Sequence, residues 1–93
     1  EKIYIIKIML RETQWVKFFS DCSNYIMNER KTFKISGNKK LVETSSRVLS
    51  KSKKLYDLLC NEEATVAEIK KAIVEKKKAA HLFHKETEIQ WPF

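Results

Sequence analysis

The sequence predicts a mainly α-helical domain, an antiparallel three-helix bundle. Its 93 residues contain one glycine and one proline, Gly37 and Pro92, too few for the many tight turns of a β-sandwich or barrel. Apolar residues recur at helical spacing in three blocks of the chain, and a helix-capping sequence precedes the third block. The length fits a single domain over residues 1–93. Because the sequence begins at Glu1 rather than Met, we expect this domain to be a fragment of a larger protein.

The first block predicts a helix from about Ile5 to Lys31. Its apolar side chains alternate in steps of four and three residues, the spacing of one helical face that packs on another helix. This face is formed by Glu12 and five apolar residues, in the order Ile8, Glu12, Trp15, Phe19, Cys22 and Ile26. The opening residues are β-branched and aromatic, so a strand within residues 3–10 followed by a helix from Thr13 is the alternative.

The second block predicts a helix from about Lys39 to Cys60, after the turn residues Ser36-Gly37-Asn38. Leu41, Val48 and Leu55 lie seven residues apart, which is the heptad spacing of a helix–helix seam. Ser45 and Ser52 also fall on this seam. Serines there are small enough to let a neighbouring helix approach closely, or they leave a shallow groove.

The third block begins with Thr65-Val66-Ala67-Glu68, the spacing of a capping box, and predicts a helix to about His84. Lys76 interrupts its apolar face, and we expect its ammonium group to lie at the edge of that face. Residues 86–93 alternate polar and apolar side chains, which predicts an extended tail or an edge strand. In the α+β alternative to the bundle, short strands at the two chain ends pack on the helices.

The positive charge is concentrated on the second helix. The chain has a formal net charge of +7. Four basic side chains at helical spacing form what we call the basic face: Lys40, Arg47, Lys51 and Lys54. Such a face attracts either an acidic protein partner or the phosphates of nucleic acid. Arginine is scarce and no aromatic residue interleaves with these lysines, so the sequence favours the protein partner.

Two aromatic residues are candidate anchors for a partner. Phe18 lies off the seam of the first helix, and with Trp15 it predicts an apolar surface wider than two neighbouring helices cover. The heptad seam of the second helix also allows self-association, so a homo-oligomer is a variant of the same prediction.

The residues indicate no catalytic chemistry. The chain has no glycine-rich phosphate loop and no nucleophile motif, and His81 and His84 form a pair without the further ligands that a metal site needs. We therefore expect no enzyme activity, no metal and no cofactor. The two cysteines and the absence of an apolar run approaching about 20 residues predict an intracellular protein without a membrane partner, in the cytoplasm or the nucleus.

These observations predict a non-enzymatic protein–protein interaction or assembly domain, a scaffold that binds a partner helix or an acidic peptide beside the second helix. The candidate site residues are the basic face, for electrostatic steering, with Trp15 and Phe18 as apolar anchors. A nucleic-acid-binding accessory domain that uses the same basic face is the alternative.

Overall fold

The computed structural model describes residues 2–6, 12–27 and 33–93 of the chain. Over these residues the protein is a mainly α-helical, three-helix bundle, which confirms the predicted fold class. A small parallel sheet accompanies the helices. In chain order the elements are β1 (Lys2–Ile6), α1 (Glu12–Met27), β2 (Phe33–Gly37), α2 (Lys39–Leu59) and α3 (Val66–Thr87).

α2 and α3 form an antiparallel pair. Lys40 Nζ lies 3.2 Å from Glu86 Oε1 near the start of α2 and the end of α3. About two turns before the end of α2, Lys51 Nζ lies 3.0 Å from Glu75 Oε2. Residues close in sequence to the α2–α3 turn therefore meet each other, as in a helical hairpin.

α1 is antiparallel to α3 and runs in the same direction as α2. The ring of Trp15, near the start of α1, lies 5.9 Å from that of Phe83, near the end of α3. Lys53 Nζ, in the second half of α2, lies 3.4 Å from the carbonyl oxygen of Ile26 at the other end of α1. β2 returns the chain between these two helices, and it pairs in parallel with β1 in the register Lys2↔Phe33 to Ile6↔Gly37.

The first helix begins later than its primary prediction. That prediction started at Ile5, whereas Ile5 and Ile6 belong to β1 and α1 begins at Glu12. β-branched residues fit an extended chain, and here the main chain of the segment pairs with β2. The strand alternative thus describes the start of the chain, but its partner is β2 rather than the last residues. The rest of the predicted first helix, residues 7–11 and 28–31, lies outside the described residues.

The ends of α2 and α3 follow the predicted signals. Asn38 caps α2 by accepting hydrogen bonds at Oδ1 from the N–H groups of Lys40 and Leu41. Thr65 and Glu68 form the predicted capping box at the start of α3. α2 ends at Leu59 and α3 at Thr87, so α3 continues three residues past the predicted His84.

The core combines aromatic rings with small residues. Phe18, Val48 and Phe83 are fully buried, and the small side chains of Ser45 and Ser52 are buried between the helices. The remaining core residues come from all three helices and the tail: Trp15, Cys22, Ile26, Leu41, Leu49, Ala79 and Trp91. Both seam serines are therefore part of the packed interior of the bundle.

Residues 88–93, which we call the tail, form neither helix nor strand. The tail places Trp91 between α1 and α3, with its ring 5.7 Å from Phe19 and 5.2 Å from Phe83. The indole Nε1–H of Trp91 donates a 2.8 Å hydrogen bond to Ser52 Oγ on α2. The tail therefore contacts all three helices and closes one side of the bundle.

Candidate protein-interaction site

The basic face lies along the border between α2 and α3. Lys40 and Lys51 each reach across to a carboxylate of α3, Glu86 and Glu75 respectively. Arg47 and Lys54 are exposed. The four predicted residues therefore share one surface, but α3 neutralises part of its charge.

Lysines of two helices surround Glu75. The hydrogen bond and the charge of Lys51 hold the pKa of the Glu75 carboxyl below its ordinary value, with smaller contributions from the charges of Lys54 and Lys71. The positive surface therefore extends from α2 onto α3. Lys51, Lys54 and Lys71 thus bring three positive charges to the Glu75 carboxylate.

The predicted apolar anchors belong to the core. Trp15 is 9% exposed and Phe18 is 1% exposed, so neither side chain can contact a partner, and their assignment as anchors is corrected. The prediction counted two neighbours of α1, whereas the tail supplies a third. Trp91 packs with Phe19 and Phe83 beside them, so the buried side of α1 is wider than two helices would make it.

An open apolar groove of about 260 Å³ lies beside the second half of α2. The side chains exposed there include Met27, 57% exposed, Leu59, 61% exposed, and Tyr56, 36% exposed. The lining residues come from the three helices and the tail: Ser23, Ile26, Met27, Ser52, Leu55, Tyr56, Leu59, Lys76 and Phe93. Large apolar side chains exposed together on one surface are typical of an interaction site.

The groove lies beside the described end of α1, at Ile26 and Met27. Leu55 and Leu59 continue the heptad seam of α2 past the described end of α1. The heptad pattern of the sequence therefore already included the α2 leucines that line the groove.

Lysine side chains border the groove. Lys76 lines it and donates a 2.8 Å hydrogen bond to the main-chain oxygen of Phe93. Lys53 donates to the carbonyl oxygens of Tyr25 and Ile26 at 3.3 and 3.4 Å. Its ammonium also lies 5.2 Å from the centre of the Tyr25 ring.

The two lysines thus donate to main-chain oxygens near the described end of α1 and in the tail. On the far side of Lys53 is a polar hollow of about 360 Å³, which Lys54 and Asp57 also line. The charges next to the groove are thus mainly positive.

The two thiols differ in accessibility. Cys22 is fully buried, and burial, with a smaller contribution from the charge of Asp21, raises the pKa of its thiol far above the ordinary value. Cys60 is exposed, and both cysteines are free. Within residues 2–6, 12–27 and 33–93, no group of three or more His, Cys, Asp or Glu side chains could hold a metal ion.

In the described part of the chain, none of the helices combines the length and the apolar character needed to cross a membrane. Comparison with known proteins gives no match to a family model, to a curated protein or to a solved structure.

Proposed function

We propose that the chain is a non-enzymatic, intracellular protein-interaction domain that binds an acidic amphipathic helix of a partner protein in the apolar groove. The observation that carries this proposal is the continuation of the α2 seam into an open surface. Leu59 and Met27 are more than half exposed there. Leu59 extends the buried seam of α2 and Met27 lies opposite it in the groove lining, so a partner helix on them would continue the packing of the bundle.

The dimensions of the groove favour a helix of about two turns. Its α2 wall runs from Ser52 to Leu59, which corresponds to roughly 10 Å along the helix axis. An amphipathic helix in such a groove inserts residues at positions i, i+3 or i+4, and i+7. Met27, Tyr56 and Leu59 replace Trp15 and Phe18 as the proposed apolar contacts.

The charge of the surroundings supports an acidic partner. Lys53 and Lys54 flank the polar hollow next to the groove, and the basic face extends along the same helix. Complementary charge of this kind raises the rate of association and selects the orientation of the partner, more than it adds affinity. We therefore assign steering to Arg47 and Lys54, with Lys40 and Lys51 partly occupied by α3 carboxylates.

The test uses a fluorescein-labelled synthetic helix with leucines at positions i, i+3, i+4 and i+7 and glutamates elsewhere, measured by fluorescence anisotropy. Leu59→Asp should weaken binding by at least about tenfold, because it places a charge in the apolar contact. The matched control is Val74→Asp: Val74 is 50% exposed on α3 and is absent from the groove lining, so affinity should change by less than about twofold. Equal losses in the two variants would refute the groove as the site.

The proposed electrostatic steering of the partner is tested with charge-reversal substitutions. Arg47→Glu combined with Lys54→Glu should slow association and reduce its dependence on salt. Lys17→Glu combined with Lys77→Glu changes the net charge equally at exposed positions off the basic face and should leave the rate nearly unchanged. Equal slowing by both pairs would mean that only the net charge matters.

Nucleic acid is the second candidate, because Arg47 and Lys54 are exposed and Lys71 of α3 lies with Lys54 around Glu75. A short DNA duplex and a single strand serve as probes at low and moderate salt. Salt-sensitive binding that Arg47→Glu with Lys54→Glu abolishes, and that Leu59→Asp leaves intact, would favour this function over the helix-binding one. Light scattering on the same samples measures homo-oligomers.

A further inference from the structure

The chain contains a further cleft, which adjoins the apolar groove at Ser52 and Phe93, and its own tail fills it. Trp91 is 6% exposed and lies between α1 and α3. Three aromatic rings surround the indole at centroid distances of 5.2 to 5.7 Å, those of Phe19, Phe83 and Phe93. Edge-to-face contacts of this kind select a flat aromatic side chain.

The polar end of the cleft is matched to the indole. Ser52 Oγ accepts the Nε1–H of Trp91 at 2.8 Å, and this bond is buried. Phenylalanine has no N–H to donate at that position, and an aliphatic side chain would lack the ring edges as well. The cleft therefore favours tryptophan over phenylalanine and over aliphatic side chains.

The tail contacts the bundle through few groups. The main chain turns at Glu88, which has a left-handed conformation with φ 61°, sparsely populated by residues other than glycine. Beyond it, Trp91 Nε1 bonds Ser52 and the Phe93 main-chain oxygen accepts from Lys76. The amide of Ile89 bonds only locally, to Thr87 Oγ1. Such a segment can leave the bundle without breaking a helix.

We propose that the cleft between α1 and α3 is a peptide-binding site for an extended segment of a partner protein, and that the tail is its displaceable occupant. The segment carries a tryptophan, with an apolar residue two positions before it and an aromatic residue two positions after it. This pattern is read from the bound occupant, in which Ile89 packs against the core and Phe93 lies 5.4 Å from Trp91 between ring centroids. The inference does not depend on the acidic helix proposed for the groove.

Displacement of the tail would also change the groove. Phe93 lines the groove and its main-chain oxygen holds Lys76. A partner segment that takes the place of Trp91 removes the chain's own Phe93 from that wall and places its own aromatic residue there. The two sites are therefore adjacent, and the second one alters the first.

The experiment measures binding of a fluorescein-labelled peptide that has the sequence of residues 86–93, with the same peptide carrying alanine in place of its tryptophan as control. The receptor is the full chain with Trp91→Ala, which keeps the cleft but removes its internal anchor. We expect this receptor to bind the tryptophan peptide at least about tenfold more tightly than the control peptide. The unsubstituted chain should bind the tryptophan peptide at least about tenfold more weakly than the Trp91→Ala receptor does. Its own tail competes for the cleft at an effective concentration near the millimolar range.

A second pair of variants tests the tryptophan-specific contact. Adding Ser52→Ala to the receptor should lower its affinity for the tryptophan peptide about fivefold, because the indole N–H loses its acceptor. Ser50→Ala is the matched control, since Ser50 is exposed on the same helix, and should leave the affinity unchanged.

Circular dichroism establishes that the Trp91→Ala receptor is folded. If that receptor is unfolded, ¹⁹F NMR of the unsubstituted chain labelled with 5-fluorotryptophan replaces the binding measurement. The chain has two tryptophans, Trp15 and Trp91. Excess peptide should then move the Trp91 resonance towards the position of a solvent-exposed indole and leave that of Trp15 in place. A folded receptor that binds both peptides equally, or neither at about 1 mM, overturns the proposal, as does a Trp91 resonance that does not move.

Discussion

Two identical substitutions on α2 should change the stability of the protein in different directions. Ser45 and Ser52 are both buried on the same seam, 0% and 5% exposed. Ser52 Oγ accepts the buried indole N–H of Trp91 at 2.8 Å. Ser45 Oγ is buried with no hydrogen-bond partner among the residues that the structure describes.

The magnitudes follow from what each alanine leaves behind. Ser52→Ala leaves the Trp91 N–H buried without an acceptor, which costs about 1–3 kcal/mol of folding free energy. For a domain of this length, each 1 kcal/mol lowers the Tm by about 4–8 °C. Ser45→Ala removes a buried hydroxyl that gains nothing from burial, so the stability should stay within about 0.5 kcal/mol or rise.

Comparing the stabilities of the two variants cancels the contributions that both substitutions share. Alanine has a higher helix propensity than serine by about 0.5 kcal/mol at both sites, and each substitution removes one oxygen atom. We therefore expect the two variants to differ by about 2 kcal/mol, measured by urea and thermal unfolding followed at 222 nm. Equal values within about 0.5 kcal/mol would refute the role of the Trp91–Ser52 bond. Phenylalanine at position 91 has no N–H that needs an acceptor. In a Trp91→Phe background, Ser52→Ala should therefore no longer lower the free energy of unfolding.

Three further results are expected. Thr65→Ala removes half of the capping box at α3 and should cost about 1 kcal/mol in unfolding free energy, whereas Thr65→Ser, which keeps the hydroxyl, should restore most of it. In a carbon-13 NMR titration, Glu75 should titrate below its ordinary value of 4.5 and return towards that value in Lys51→Gln. Since the folded-state pKa is lowered, the stabilisation from this pair is present above the ordinary pKa and is lost as the pH falls through the lowered one. Iodoacetamide should modify the exposed Cys60 and not the buried Cys22 in the native protein; two fast-reacting thiols would contradict the packing of α1.

Local signals in the sequence predicted the second half of the fold closely. The asparagine before α2 and the Thr65–Glu68 spacing before α3 fix the starts of both helices through bonds within a few residues. The seam of α2 placed Leu41 and Val48 in the core, where the structure has them. Interactions of this kind involve residues that are close along the chain, so a pattern in the sequence is enough to predict them.

The first half depends on contacts that the sequence pattern does not contain. Ile5 and Ile6 suit either a helix or a strand, and their partner β2 lies beyond α1. The direction of α1 relative to α2 follows from this pairing, because β2 carries the chain back along the bundle. Phe18 gave a similar ambiguity: its position off the seam fits either a partner site or a third internal neighbour. The structure buries Phe18 in the core, and the tail packs on the neighbouring Phe19 through Trp91.

The parallel pairing of β1 with β2 has a consequence for the order of folding. The α2–α3 hairpin joins segments close in sequence, so its contacts form at a small cost in loop entropy. Lys2 must find Phe33 across the whole of α1, and closing that larger loop costs more entropy before any contact offsets it. We expect the hairpin to form first and β1 to join last, so that amides of β1 exchange with solvent through partial openings that leave α2 and α3 intact.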